Sequence, residues 1–204
     1  MASKSYPMSF TTGGLFRFES IILAELYLET GDWDRVRKRV MADNLLQART
    51  RSSLTRNTNE IIRRLKTFSE EELSYLVAAG EREQGYLLWV AVCRTYPFIA
   101  EFARDVLREK FLGSSGELNK HDFESFYNNK ADWHPGLETI TESSRYKLRF
   151  VLFKIMREAD LLSSKNVILG ALPDPEFIRI LRVNSPGDIL FFPVSDADVK
   201  HMTS

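Results

Sequence analysis

Ten Lys and Arg residues are concentrated between Trp33 and Lys66, where only three acidic residues accompany them. The segment therefore carries a net charge of +7, although the whole chain of 204 residues holds 28 basic and 28 acidic residues. Eight of the ten are Arg, whose planar guanidinium forms paired hydrogen bonds to phosphate oxygens and guanine edges. Clustered cations of this kind bind polyanions with release of counterions. The pattern favours a nucleic-acid surface.

Short polar side chains extend this candidate surface at the start of the second helix predicted for the segment. In a helix-turn-helix, the N-terminal part of that helix enters the major groove, where hydroxyl, amide and guanidinium groups contact phosphates and base edges. Basic residues further along the helix suit the phosphate backbone. The candidate nucleic-acid-binding residues are Arg35, Arg37, Lys38, Arg39, Arg49, Arg51, Ser53, Thr55, Arg56, Asn57, Asn59, Arg63, Arg64 and Lys66.

Internal pairing is a second explanation of the same charge. The next window, Thr67 to Gln84, holds five Glu and one Arg, which gives it a net charge of −4. If its helix folds back on the basic segment, the two charges neutralise each other and no ligand is needed. A weaker basic set, with eight basic and four acidic residues between Arg145 and Arg182, is better explained as the edge of a buried helix than as a binding surface.

No catalytic or metal-ligating constellation accompanies the basic segment. The three histidines, His121, His134 and His201, have no Cys companion at the spacing of a zinc site. The sequence GSSG at Gly113–Gly116 lacks the Lys of a phosphate-binding loop, and no G-x-S-x-G motif occurs. The single cysteine, Cys93, lies in the apolar run YLLWVAVC and is expected to be a small buried hydrophobe. The sequence predicts a non-enzymatic protein without cofactor or metal.

Hydrophobic periodicity predicts the helices that must position these side chains. The segments LFRFESIILAELYLE, DWDRVRKRVMAD and SSLTRNTNEIIRRLKTF predict three helices, the last two joined by a connection near Asn44 to Thr50. On the third helix, the apolar positions between Leu54 and Leu65 share one side. Glu60 and Arg63 fall on the opposite side, with Arg64 at its edge. We therefore expect one face to pack inward and the other to face solvent.

The predicted fold class is mainly α, with three parts. Residues 1–68 form an N-terminal helix-turn-helix-like DNA-binding unit, within which the polar stretch Met1–Gly14 is expected to be an arm or a loosely held start. Residues 69–143 form a central helical block. Residues 144–204 form a C-terminal winged-helix-like unit: a buried helix, a shorter helix, a turn, and the run DILFFPV, which is typical of a short β element.

Two features concern the compartment. The longest apolar block, Tyr86 to Cys93, is far shorter than the roughly 20 residues of a membrane-spanning helix. The N-terminus lacks the apolar segment of a secretory signal, and a single cysteine permits no intramolecular disulfide. We expect a cytoplasmic protein with no membrane partner.

Two long stretches resemble the BrxA family. They are SFTTGGLFRFESIILAELYLETGDWDRVRKRV, continued by NLLQARTRSSLTRNTNEIIRRLKTF, and LLWVAVCRTYPFIAEFARDVLREKF. The similarity covers residues 9 to 200, roughly, and rests on overall pattern rather than on a catalytic signature. The resemblance implies a small accessory component of BREX, the bacteriophage exclusion systems in which a methyltransferase, an ATPase and other factors mark host DNA and block phage.

The resemblance also implies a ligand class. BrxA proteins are associated with helix-turn-helix or winged-helix domains and with double-stranded DNA, and they have been described as similar to the RNA-binding protein NusB. The leading hypothesis is therefore a double-stranded DNA-binding accessory protein, with other BREX components as possible partners. A NusB-like RNA-binding protein and a protein–protein adaptor, whose basic face meets an acidic partner, stay open as alternatives.

Overall fold

A computed structural model describes residues 6–113 and 116–203, with side chains as far as Lys200. This part of the chain is mainly helical, as predicted. Its α-helices are α1 (Arg17–Thr30), α2 (Trp33–Asp43), α3 (Arg51–Leu65), α4 (Glu70–Ala78), α5 (Glu81–Thr95), α6 (Pro97–Phe102), α7 (Glu109–Leu112), α8 (Lys120–Ala131), α9 (Glu142–Glu158), α10 (Pro175–Asn184) and α11 (Asp196–Thr203). A π-helical segment, Ala103–Arg108, joins α6 to α7, and 3₁₀ turns cover Pro135–Leu137 and Pro186–Phe191.

Side-chain caps fix where the first helices begin. The carboxylate of Asp32 accepts a hydrogen bond from the amide of Asp34 at the start of α2. The hydroxyl of Thr50 accepts from the amide of Ser53 at the start of α3. Ser69 and Glu72 form a reciprocal capping box at the start of α4. Each cap satisfies amides that a helix N-terminus would otherwise leave without partners.

The hydrophobic core is continuous and centres on α5. Its residues from Tyr86 to Cys93 are all buried, and the thiol of Cys93 is free, as expected of a small core hydrophobe. The same core cluster takes in Phe10 before α1, Leu152 of α9 and Phe192 near the C-terminus. The core thus draws on all three predicted parts, and their separation at residues 68 and 143 stays a prediction.

The N-terminal segment is packed rather than loosely held. Phe10 is fully buried, with its ring 5.4 Å from that of Tyr96 and 6.0 Å from that of Phe98. The hydroxyl of Tyr6 donates to Glu101 at 2.9 Å. The expectation of a loose start is therefore wrong for residues 6–14, because one aromatic side chain anchors the segment in the core. Residues 1–5 lie outside the described part.

The C-terminal run that predicted a short β element is helical instead. Pro186–Phe191 forms a 3₁₀ turn, and only isolated β-bridges, Glu117 with Val167 and Leu162 with Ile168, occur in the described residues. The indole of Trp89 donates to the carbonyl of Phe191 at 2.9 Å, which occupies a group that a strand would offer to its neighbour. The predicted β element is therefore wrong, and the winged-helix arrangement is not confirmed.

Two features are absent from the residues that the structure describes. No helix there is long and apolar enough to cross a bilayer. No group of three or more His, Cys, Asp or Glu side chains is placed to hold a metal ion. Ser114 and Ser115, within the GSSG stretch, lie outside these residues.

Candidate nucleic-acid interface

Helices α2 and α3 position the basic residues. Helix α2 buries Val36 and Val40, and α3 buries its apolar side from Leu54 to Leu65, so the predicted amphipathic pattern is confirmed. The connection at 44–50 is held by Asn44, whose side chain accepts from the amide of Ala48 and donates to its carbonyl. Seven residues make this connection longer than the usual helix-turn-helix turn, so docking of that type stays a prediction.

Most of the candidate residues are exposed. Arg37, Ser53 and Asn57 are half-buried, and Arg64 is buried. The exposed candidates are Arg35, Lys38, Arg39, Arg49, Arg51, Thr55, Arg56, Asn59, Arg63 and Lys66.

The cations of α2 have partners within or next to their own helix. Arg35 lies 3.7 Å from Asp32, Arg37 lies 3.4 Å from Asp34, and Arg39 lies 4.0 Å from Asp43. These pairs are long and solvent-accessible, so each contributes little and can be replaced by a phosphate. Lys38 has no ion pair with a described carboxylate.

The cations on and beside α3 are not neutralised. Among the described residues, no carboxylate forms an ion pair with Arg49, Arg51, Arg56, Arg63 or Lys66. The guanidinium of Arg63 lies 4.9 Å from the ring centroid of Tyr96, and its Nη1 donates to the hydroxyl of Ser9 at 3.4 Å. These neutral contacts orient Arg63 without cancelling its charge.

Four of the five carboxylates of the acidic window pair with cations outside the basic segment. Glu71 binds Arg179 at 2.9 Å and Glu72 binds Arg94 at 2.6 Å. Further along, Glu81 binds Arg17 at 3.2 Å, and Glu83 binds its neighbour Arg82. None of these pairs reaches the basic segment at 35–66. The ion pairs therefore do not support the explanation that the following Glu-rich helix neutralises the basic segment.

Arg64 is the one candidate that the fold withdraws from solvent. Its side chain is 2% exposed, its Nε donates to Glu60 at 2.8 Å, and its Nη1 donates to the carbonyl of Gly14 at 2.7 Å. The hydroxyl of Tyr96 also donates to Glu60 at 2.6 Å, and burial raises the pKa of Tyr96, which keeps the phenol protonated.

The prediction that Arg64 contacts nucleic acid is therefore wrong as regards its position, and Glu60 is likewise not on the exposed face. The spacing of the pair was a usable signal, because Glu and Arg four residues apart on a helix face each other. At the edge of the polar face, such a pair can turn inward when the neighbouring chain supplies further hydrogen bonds.

A depression runs along the polar face of α3. Ser52, Thr55, Arg56, Asn59 and Arg63 line it at helical spacing, with Thr12 from the N-terminal segment and the edge of Glu60. Ser52 belongs to the short polar groups at the start of this helix that the sequence predicted to contact phosphates, whereas Thr12 was not among the candidates. The hydroxyl of Thr55 also contacts the sulfur of Met41 at 3.8 Å, which places α2 beside this face.

Part of the C-terminal basic set is held in ion pairs, and whether the rest contacts nucleic acid stays open. Arg145 and Arg149 both bind Glu124, and Arg179 binds Glu71 and Glu176.

Comparison with known proteins shows the family of the chain. The BrxA family model matches residues 4–185. A BREX protein BrxA from Escherichia coli O9:H4 (strain HS) is 28% identical over 147 residues, which cover 72% of this chain and 69% of that protein. A BREX protein BrxA from Bacillus cereus (strain H3081.97) is 22% identical over 130 residues, 64% of this chain and 65% of that protein.

The fold is also found in a crystal structure of an uncharacterized protein from Magnetospirillum magneticum. The TM-score is 0.77 at 22% identity, and the match covers 91% of this chain and 96% of that chain. Since the family model spans most of the sequence, the chain belongs to the BrxA family.

Proposed function

We propose that this chain is a cytoplasmic, non-enzymatic accessory component of a BREX phage-defence system that binds double-stranded DNA through α2 and α3. Membership of the BrxA family and the BREX names of its relatives support the pathway. The observation that carries DNA binding is the unneutralised charge of Arg49, Arg51, Arg56, Arg63 and Lys66, next to an acidic window in which four of the five carboxylates pair with other cations.

Phosphate contacts dominate the binding in this proposal. Arg51, Arg56 and Lys66 are exposed and bind backbone phosphates, while Thr55 and Asn59 add hydrogen bonds to phosphates or base edges. Since cations outnumber the groups able to read bases, the sequence preference is weak and the affinity falls steeply with salt.

Two other ligands fit a cationic face: RNA, and an acidic protein within the defence complex. RNA recognition relies on splayed bases that stack on aromatic side chains. The α3 face offers few such groups, because its neighbouring ring, Tyr96, is buried beneath Arg63. Binding of an acidic protein would depend on the same cations, but the chain would then show no preference for duplex DNA.

The test compares two variants that each remove three exposed cations without an ion pair. R51Q/R56Q/K66Q removes three positive charges from the α3 surface, whereas K147Q/K165Q/R182Q removes three positive charges from the C-terminal part of the chain. Fluorescence anisotropy with labelled random-sequence duplex, single-stranded DNA and RNA at about 100 mM salt measures the affinity of each.

We expect the α3 variant to bind duplex at least about tenfold more weakly and the control variant to bind within about threefold of the parent chain. Equal losses in both variants would show that net charge, not the α3 surface, governs binding. A preference for RNA over duplex would favour the NusB-like alternative. Absence of binding to any nucleic acid would favour the adaptor.

A further inference from the structure

The N-terminal stretch Ser9–Gly13, here called the strap, lies against the proposed DNA-binding helix. Thr12 lines the depression on the polar face of α3 together with Ser52, Thr55 and Arg56. Ser9 accepts a hydrogen bond from Arg63 at 3.4 Å. The depression therefore has two sides: α3 supplies the cations, and the strap supplies the hydroxyl of Thr12.

The strap is fixed independently of any ligand. Phe10 is fully buried between the rings of Tyr96 and Phe98, and the carbonyl of Gly14 accepts from buried Arg64 at 2.7 Å. At Gly13, φ is +74° and a Cβ would collide with the ring of Phe16, so the turn into α1 requires glycine. Because the strap is already ordered without a ligand, it loses little conformational entropy on binding, and this favours affinity.

The groups around the depression suit one phosphate. Arg56 and Arg63 carry charge that no described carboxylate pairs with, and Ser52 and Thr12 carry hydroxyls that can donate to phosphate oxygens. The hydroxyl of Thr55 already donates to the carbonyl of Arg51 at 2.9 Å. Glu60 is the one acidic residue among those that line the depression, and its carboxylate accepts hydrogen bonds from Arg64 and Tyr96.

We infer that this depression seats a backbone phosphate of bound duplex DNA between the strap and α3, and that Thr12 and Ser52 are phosphate-binding residues. The inference rests on the proposed function, since it places one phosphate of the ligand proposed there. It assigns the strap a direct part in binding, in addition to its place in the core.

The experiment changes the charge and the hydroxyl at Thr12, which is half-buried at the depression and whose side chain forms no hydrogen bond with a described residue. Thr12→Lys should tighten and Thr12→Glu should weaken duplex binding, each by about three- to tenfold at 100 mM salt. Thr12→Val keeps the shape and removes the hydroxyl, so it should weaken binding by about two- to tenfold. Ser125→Lys and Ser125→Glu, on an exposed position of α8, are the matched controls and should change the affinity less than twofold.

Thermal unfolding of every variant shows whether the strap is still folded. Duplex affinity that responds no more to the Thr12 charges than to the Ser125 charges overturns the inference. So does a Thr12→Val variant that binds as tightly as the parent. If these results are found while R51Q/R56Q/K66Q still weakens duplex binding by about tenfold or more, the inferred phosphate site at the depression is wrong and the proposed function stands.

Discussion

Arg94 of α5 and Glu72 of α4 form a two-pronged ion pair, with Nη2–Oε1 at 2.6 Å and Nη1–Oε2 at 3.1 Å. The same guanidinium donates to Asp188 at 2.6 Å and to the carbonyl of Thr67 at 2.9 Å. Arg94 therefore joins the residues that follow α3, the acidic helix α4 and the C-terminal 3₁₀ turn. Since Glu72 is directed at α5, it cannot neutralise the cations of α3.

The Asp188 end of this network gives a pH dependence. Burial raises the pKa of Asp188 above its ordinary value of 3.8, and the nearby Arg94 does not cancel that effect. Between the ordinary and the raised pKa, the folded state holds more protons than the unfolded state, so this group's contribution to stability falls as pH rises.

Urea unfolding of the parent chain and D188N between pH 3.5 and 6 measures the effect. The difference in unfolding free energy, parent minus variant, should decrease as pH increases through that window. An increase with pH would show that ion pairing, not burial, dominates the titration of Asp188.

Removing Arg64 should destabilise the fold without weakening DNA binding. R64A leaves the carboxylate of Glu60 buried without its cation, and we expect the unfolding free energy to drop by about 3–5 kcal/mol. The double variant E60Q/R64M removes both charges and should recover most of the loss. Chemical denaturation gives the free energies, and anisotropy at a temperature where R64A is folded gives the duplex affinity. A tenfold loss of duplex affinity in folded R64A would contradict this prediction and show that Arg64 takes part in DNA binding.

Phe10→Ala tests whether the N-terminal segment belongs to the core. Because the side chain is fully buried among aromatic rings, we expect a loss of about 3–5 kcal/mol in unfolding free energy. Phe18→Ala is the matched control, since Phe18 is 69% exposed and should cost less than about 1 kcal/mol. A loss no larger than that of the control would mean that the segment is loosely held after all.

The helices and the exposed basic face could be predicted from the sequence because both depend on local periodicity. The apolar positions of α3 are three and four residues apart, and that spacing assigns Arg56 and Arg63 to the outer face. Local spacing does not predict the position of Arg64, one residue further on, which is buried. Its burial depends on Gly14, 50 residues away, and on Glu60, itself held by Tyr96.

The two other wrong expectations have the same physical origin, which is contact with residues far away in the sequence. The polar start of the chain was expected to be loosely held because one Phe among Ser, Thr and Gly gives no periodic signal. In the structure, Phe10 is fully buried and packs against the rings of Tyr96 and Phe98. The run DILFFPV looked like a strand because it is apolar and bounded by proline. Trp89 and Arg94, about 100 residues earlier, bind the Phe191 carbonyl and the Asp188 carboxylate and hold the segment in a 3₁₀ turn.

The salt dependence of duplex binding by the unmodified chain tests the central claim most directly. If the five unneutralised cations from Arg49 to Lys66 each contact a phosphate, a plot of log affinity against log salt should be linear with a slope of about −4.5. The contradicting result is a slope near zero, or no duplex binding at any salt concentration, which would show that this surface is not a site for a polyanion.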